Sequence, residues 1–144
     1  MTNELKLEWD PKFSVSIEDI DKYQQKMFEM FNQLLDLKKN KNEAKEYIDL
    51  ISDINEFSKL YFGAEEKILR KIKYPDYAAH AKAHRQFTKN FISLRREIAE
   101  DVENLTDQAI VELREWLINH ILELDSMYIP FIRITDYIEK SEIR

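Results

Sequence analysis

Apolar residues recur along this chain at alternating spacings of three and four, the period of a helix with one buried face. A first stripe reads Ile17, Ile20, Gln24, Met27, Phe31 and Leu34, opened by Ser16-Ile17-Glu18-Asp19, which resembles a capping box. Beyond a polar turn from Lys38 to Lys41, Asn42 can cap a second helix with Tyr47, Ile51, Ile54, Ser58, Tyr61, Glu65, Ile68 and Ile72 inward. Tyr74-Pro75 stops it, because the residue before a proline disfavours helical geometry. A third stripe reads Tyr77, His80, His84, Phe87, Phe91, Leu94 and Ile98. Thr106 or Asn104 can start a fourth, with Ile110, Leu113, Leu117, His120, Leu124 and Tyr128 inward, and with Ile121 and Asp125 at the stripe's edge. Pro130 ends or kinks this last helix.

Four such helices with short connections predict an all-α fold, an antiparallel up-down-up-down four-helix bundle. Residues 1–16, with Trp9, Phe13 and Val15, suit an N-terminal arm closing one end; 17–128 form the bundle. The tail, 129–144, has enough apolar residues (Phe131, Ile132, Ile134, Tyr137, Ile138) for a short C-terminal helix covering the bundle. At 144 residues the whole chain, 1–144, reads as a single domain. The composition agrees: one glycine and three prolines leave few places for turns. The single glycine, Gly63, reads as a small residue permitting close helix packing.

The bundle topology makes the polar residues of the stripes informative. Gln24 lies near the start of the first helix, Tyr61 and Glu65 near the end of the second, His80 and His84 near the start of the third, and His120 and Asp125 near the end of the fourth. In an antiparallel bundle these four ends share one level, so every unexpected polar residue falls in one slab. Histidines four apart on a helix lie about 40° apart around the axis and about 6 Å along it, so two such rings can grip one ion. His80 and His84 alone would read equally well as hydrogen-bonded core residues. Glu65 and Asp125 decide the matter, because buried carboxylates are costly unless paired and no Lys or Arg occupies the inward stripes near them. A metal is the expected cation.

Other chemistries are excluded or unsupported. There is no cysteine, so thiolate and iron–sulfur sites are out and any metal must take N and O ligands. The net charge of -6, with basic residues only in short clusters, argues against nucleic acid. No signal peptide pattern and no bilayer-spanning run is present, so a cytoplasmic protein with no membrane association is the expectation. All three histidines belong to the cluster, leaving no nucleophile triad, and one glycine cannot make a phosphate-cradling loop. Nothing in the sequence specifies an oligomeric state.

The order Trp9, Ile20-Asp21, Phe62-x-x-Glu65-Glu66, Tyr74-Pro75, His80-x-x-x-His84-x-x-Phe87 and Trp116-Leu117-x-x-His120-Ile121-x-x-x-Asp125 resembles a bacterial hemerythrin over residues 9 to 130. That resemblance implies a four-helix bundle holding two non-haem irons bridged by a glutamate, an aspartate and a solvent-derived oxygen. One iron takes three further histidines and the other two, and dioxygen binds at the latter. By resemblance His80, His84 and His120 are the three-histidine set, and Glu65 and Asp125 the bridging carboxylates.

The departures fall together: Gln24 and Tyr61 stand where the family motif puts the other two histidines. Three outcomes are open. The second metal is absent, with Tyr61 and Gln24 filling its volume and hydrogen-bonded to each other or to Glu65; or both are substitute ligands, phenolate and amide carbonyl, at a dinuclear centre; or no metal binds and the fold is a scaffold. The first is the expectation: an altered, mononuclear, non-haem metal site, with iron implied by the resemblance and Mn or Zn equally suited to the donor set. A binding or sensing protein for O2, NO or peroxide, or one handling iron, is expected ahead of an enzyme. The alternatives are a dinuclear oxygen-binding protein and a redox enzyme acting on peroxide or superoxide.

Overall fold

The computed structural model describes residues 5–40 and 43–142, and these form an all-α bundle with no strand among them. Its helices are α1 (Glu18–Lys39), α2 (Ala44–Lys71), α3 (Tyr77–Glu100), α4 (Asp107–Asn119) and α5 (Ile129–Glu142). The first four run up-down-up-down, as the stripes predict, and no helix of the described residues is long and apolar enough to cross a membrane. The predicted stripes of α1 and α3 are buried almost throughout, while the end of the α2 stripe is completed by Leu69 in place of Ile68 and Ile72.

The helix ends differ in detail from the sequence reading. Ser16 makes no capping box: it takes a left-handed φ of 62°, and α1 starts after Ile17 with no side-chain cap. Asp21 does the work instead, accepting from Ser14 Oγ at 2.5 Å and from the Val15 N–H at 2.8 Å, which ties the arm to the first turn. Asn42 lies outside the described residues, and Glu43 precedes α2 without a side-chain bond. α2 stops before Tyr74-Pro75, where the Tyr74 N–H donates to Leu69 O and the Lys73 N–H to Arg70 O with Lys73 at φ 57°. This is a Schellman ending with lysine where glycine is usual. Thr106, rather than Asn104, caps α4 by accepting from the Ala109 N–H.

The arm lies along α1 rather than only closing an end. Asn32 exchanges two 2.8 Å bonds with the Leu7 backbone, Phe13 packs edge-on to Phe28, and Trp9 Nε1 donates to Gln24 Oε1 at 3.1 Å. At the other terminus the final helix is present, with Pro130 in its first turn. It covers the bundle only at its start: Phe131 packs on Tyr74, but Ile134, Tyr137 and Ile138 are exposed. Gly63 is also exposed, and a Cβ there would meet nothing within 4 Å, so it serves no close packing.

One irregularity positions the site. Between α4 and α5 the chain stays helical but widens to a π-helix over His120–Asp125, then tightens to a 3₁₀ turn over Ser126–Tyr128. In a regular α-helix, residues five apart diverge by about 140° around the axis. The widened turn brings them to one face, so Asp125 and Ile121 are fully buried while Leu124 is only half-buried. This corrects the sequence reading, which placed Ile121 and Asp125 at the edge and Leu124 inward. Such widened turns concentrate at functional sites.

Candidate metal centre

Glu65 from α2, His80 and His84 from α3 and His120 from the widened turn converge, their potential ligand atoms all within 4.8 Å of one another. Asp125 joins them: its Oδ1 is 3.1 Å from His80 Nε2 and 3.0 Å from His120 Nε2. Glu65 Oε1 lies 2.5 Å from His80 Nε2, 2.9 Å from His84 Nε2 and 3.6 Å from His120 Nε2. All five residues are buried, none more than 3% exposed. The rings are held by stacking, Phe62 on His84 at 4.0 Å and Trp116 on His120 at 5.0 Å.

Each carboxylate turns one oxygen toward the imidazoles and has the other occupied. Glu65 Oε2 accepts from the Tyr128 hydroxyl at 2.8 Å. Asp125 Oδ2 accepts from the Tyr61 hydroxyl at 2.5 Å and from Gln24 Nε2 at 3.4 Å. Tyr61 and Gln24 therefore fill the core as expected, but their shared partner is Asp125, neither each other nor Glu65. The reason is the widened turn, which swings Asp125 between them. Replacing Tyr61 by Phe strips a buried carboxylate of its shortest donor and is expected to destabilise the metal-free protein by about 1.5–3 kcal/mol, read as a shift in urea midpoint. An unchanged midpoint would mean that Asp125 does not depend on the phenol.

The electrostatics of the cluster follow from burial and pairing. Burial, the largest influence on His80 and His120, would lower their pKa values. The hydrogen bonds and charges of Asp125 and Glu65 outweigh it, pushing His80 up to about 9 and His120 up to about 10. Burial would likewise raise Glu65, yet hydrogen bonds from His120, His80 and His84 hold its carboxyl well below the usual range. Tyr61 is driven well above an ordinary phenol by burial and then by the charges of Asp125 and Glu65, and Tyr128 by burial and then Glu65 and Asp125. In the metal-free cluster both phenols are therefore protonated hydrogen-bond donors.

The residues fit a cation. His84 and His120 direct Nε2 atoms at each other across 3.1 Å, and Asp125 Oδ1 pairs with the His80 and His120 Nε2 atoms at 3.1 and 3.0 Å but off the direction of a well-aligned hydrogen bond. Three imidazole nitrogens and two carboxylate oxygens facing one point form an N/O donor set for iron, manganese or zinc. The roles of Tyr128 and of Glu66, which lies 2.9 Å from His84 Nδ1, were not read from the sequence. A signal for Tyr128 existed: a buried tyrosine hydroxyl usually finds a partner.

Comparison with known proteins places this arrangement. The Hemerythrin HHE cation binding domain family matches residues 15–132. A bacteriohemerythrin of Clostridium acetobutylicum is 30% identical over 125 residues, covering 84% of this chain and 97% of its own. A bacteriohemerythrin of Pseudomonas aeruginosa is 28% identical over 127 residues, covering 88% and 82%. A hemerythrin-like protein of Naegleria gruberi is 26% identical over 120 residues, covering 83% and 88%. With the bundle, the buried cluster of histidines and carboxylates and the family match over most of its length, the chain belongs to the hemerythrin family of non-haem metal-binding proteins.

Proposed function

We propose that the protein holds one iron ion, at a site altered from the usual dinuclear pattern, and serves in sensing O2, NO or peroxide or in iron handling. The ion would be held by His80, His84 and His120 with Glu65 Oε1 and Asp125 Oδ1. When bound, iron supplies a redox-active Lewis acid to which a small diatomic ligand or oxidant can bind. The observation carrying the single-ion reading is the fate of the outer carboxylate oxygens. Tyr61 and Gln24, standing where the family pattern puts two further histidines, are buried and donate to Asp125 Oδ2, while Tyr128 donates to Glu65 Oε2, so these side chains supply hydrogen bonds where a second ion would need imidazole ligands.

The chain's own residues then divide the work. The imidazoles bind, the three polar donors orient the carboxylates, and the Phe62 and Trp116 rings cover the histidine faces and exclude water. Gln24 is itself oriented by the Trp9 indole, which takes its Oε1 and leaves its Nε2 to donate to Asp125.

Metal content per chain, measured on protein from iron-supplemented cells, tests this reading. About one iron per chain is expected. The double variant Gln24→His with Tyr61→His, which restores the family pattern, is expected to take up about two. Two irons in the parent protein would overturn the single-ion reading, and none under any loading condition would leave a metal-free scaffold.

A further inference from the structure

We propose that Glu66 is the positioning residue for His84, setting the tightness of metal binding and the rate at which the ion exchanges with solvent. The inference rests on the metal-centre reading above.

Glu66 follows Glu65 on α2 and is absent from the convergent set itself. Its Oε2 lies 2.9 Å from His84 Nδ1, on the side of the ring away from the cluster, and its side chain is 24% exposed. The Tyr77 hydroxyl donates to its other oxygen at 3.4 Å, and the Arg70 guanidinium sits 5.8 Å from the centre of the Tyr77 ring. Once a cation sits among the inner nitrogens and oxygens, His84 Nε2 must offer it a lone pair, and the hydrogen then sits on Nδ1, where the Glu66 carboxylate is placed to accept it. An outer carboxylate on a ligating histidine fixes ring orientation and strengthens its donor atom.

The three histidines are not equivalent in this respect. Among the described residues His120 Nδ1 is buried with no hydrogen-bond partner, so no outer side chain positions its ring as Glu66 does that of His84. His84 is held on one face by Phe62 and at its outer nitrogen by a side chain that solvent reaches. Rotation of Glu66 away from the ring frees His84 without unpacking the bundle. That makes the α2–α3 side the route of exchange, with Glu66 as its latch and Tyr77 as the support of the latch.

The test uses cobalt(II) as a spectroscopic probe and ferrous ion as the second metal, on the full chain. In Glu66→Ala, affinity for cobalt is expected to fall about 10–100-fold, with faster release to a chelator and shifted visible bands. Glu66→Gln keeps an oxygen that accepts from Nδ1–H and is expected to recover most of the affinity and the parent spectrum. The metal-free melting temperature of both variants should stay near the parent's, since Glu66 is partly exposed and outside the core. Parent-like affinity and release in Glu66→Ala would overturn the proposal, and so would a Glu66→Gln variant as impaired as Glu66→Ala. If the parent protein binds neither cobalt nor ferrous ion, it is the metal-centre reading that fails, and the proposal falls with it.

Discussion

Ferrous ion at about a thousand times its dissociation constant is expected to raise the melting temperature of the metal-free protein by about 8–16 °C, and excess chelator to reverse the shift. The donors come from α2, α3 and the widened turn after α4, separated in sequence by as much as the span from Glu65 to Asp125. An unfolded chain cannot assemble them, so the ion binds the native state alone and stabilises it by mass action, about 4 kcal/mol at that ratio. In a chain of this size each kcal/mol is worth about 2–4 °C. Thermal melts with and without metal check the value. A melting temperature indifferent to both metal and chelator would mean that the buried carboxylates are balanced by protons alone.

That proton balance gives the second large effect, opposite pH dependences for the metal-free and metal-loaded protein. His80 and His120 have folded-state values raised to about 9 and about 10 from an ordinary 6.5. Between 6.5 and those values the folded state holds protons that the unfolded state has released. The stabilisation is complete below 6.5 and is lost as pH rises through 9 and 10, at up to about 1.4 kcal/mol per pH unit for each imidazolium. Glu65, held low, contributes in the other direction: its stabilisation is present above its ordinary 4.5 and is lost as pH falls through its depressed value. From these groups the metal-free protein should be most stable between 4.5 and 6.5 and weaken toward alkaline pH.

Metal loading inverts the slope. Nε2 of His80 and His120 must shed protons to become ligands, so affinity rises over the same window and near neutral pH about two protons leave per ion bound. Denaturation from pH 6 to 10 in chelator gives the first slope, and calorimetric titration in buffers of different ionisation enthalpy counts the protons. Stability that stays flat over that range without metal would mean that the two imidazoliums are not paired with Glu65 and Asp125.

Helix periodicity made most of this architecture legible. The stripes of α1 and α3 were readable because an apolar residue every three or four positions is what a buried face requires, and the slab of polar residues followed from antiparallel topology. The same regularity misplaced Asp125 and Ile121, since a stripe extrapolated at constant pitch cannot anticipate a turn that takes in more residues. Pairings between polar side chains were less legible than positions. Tyr61 and Gln24 could be set in the core from the sequence, but their convergence on one oxygen of Asp125 depends on the pitch change on another helix. Glu66 was hidden for a different reason: beside Glu65 and partly exposed, it reads as an ordinary solvated acid, and only its position against His84 Nδ1 distinguishes it.

The sequence contains two tryptophans, one against the centre and one a side chain away from it. Trp9 donates its indole N–H to Gln24, one hydrogen bond from Asp125, while Trp116 lies flat on the ring of His120. No other indole lies elsewhere in the chain to contribute a background, so emission excited at the red edge, where tyrosine does not absorb, comes from one indole against a donor histidine and one a single side chain removed from a donor carboxylate. The protein thus carries its own optical gauge of the site, in which quenching by a paramagnetic ion and changes in hydrogen bonding register at once, without a label or an added chromophore.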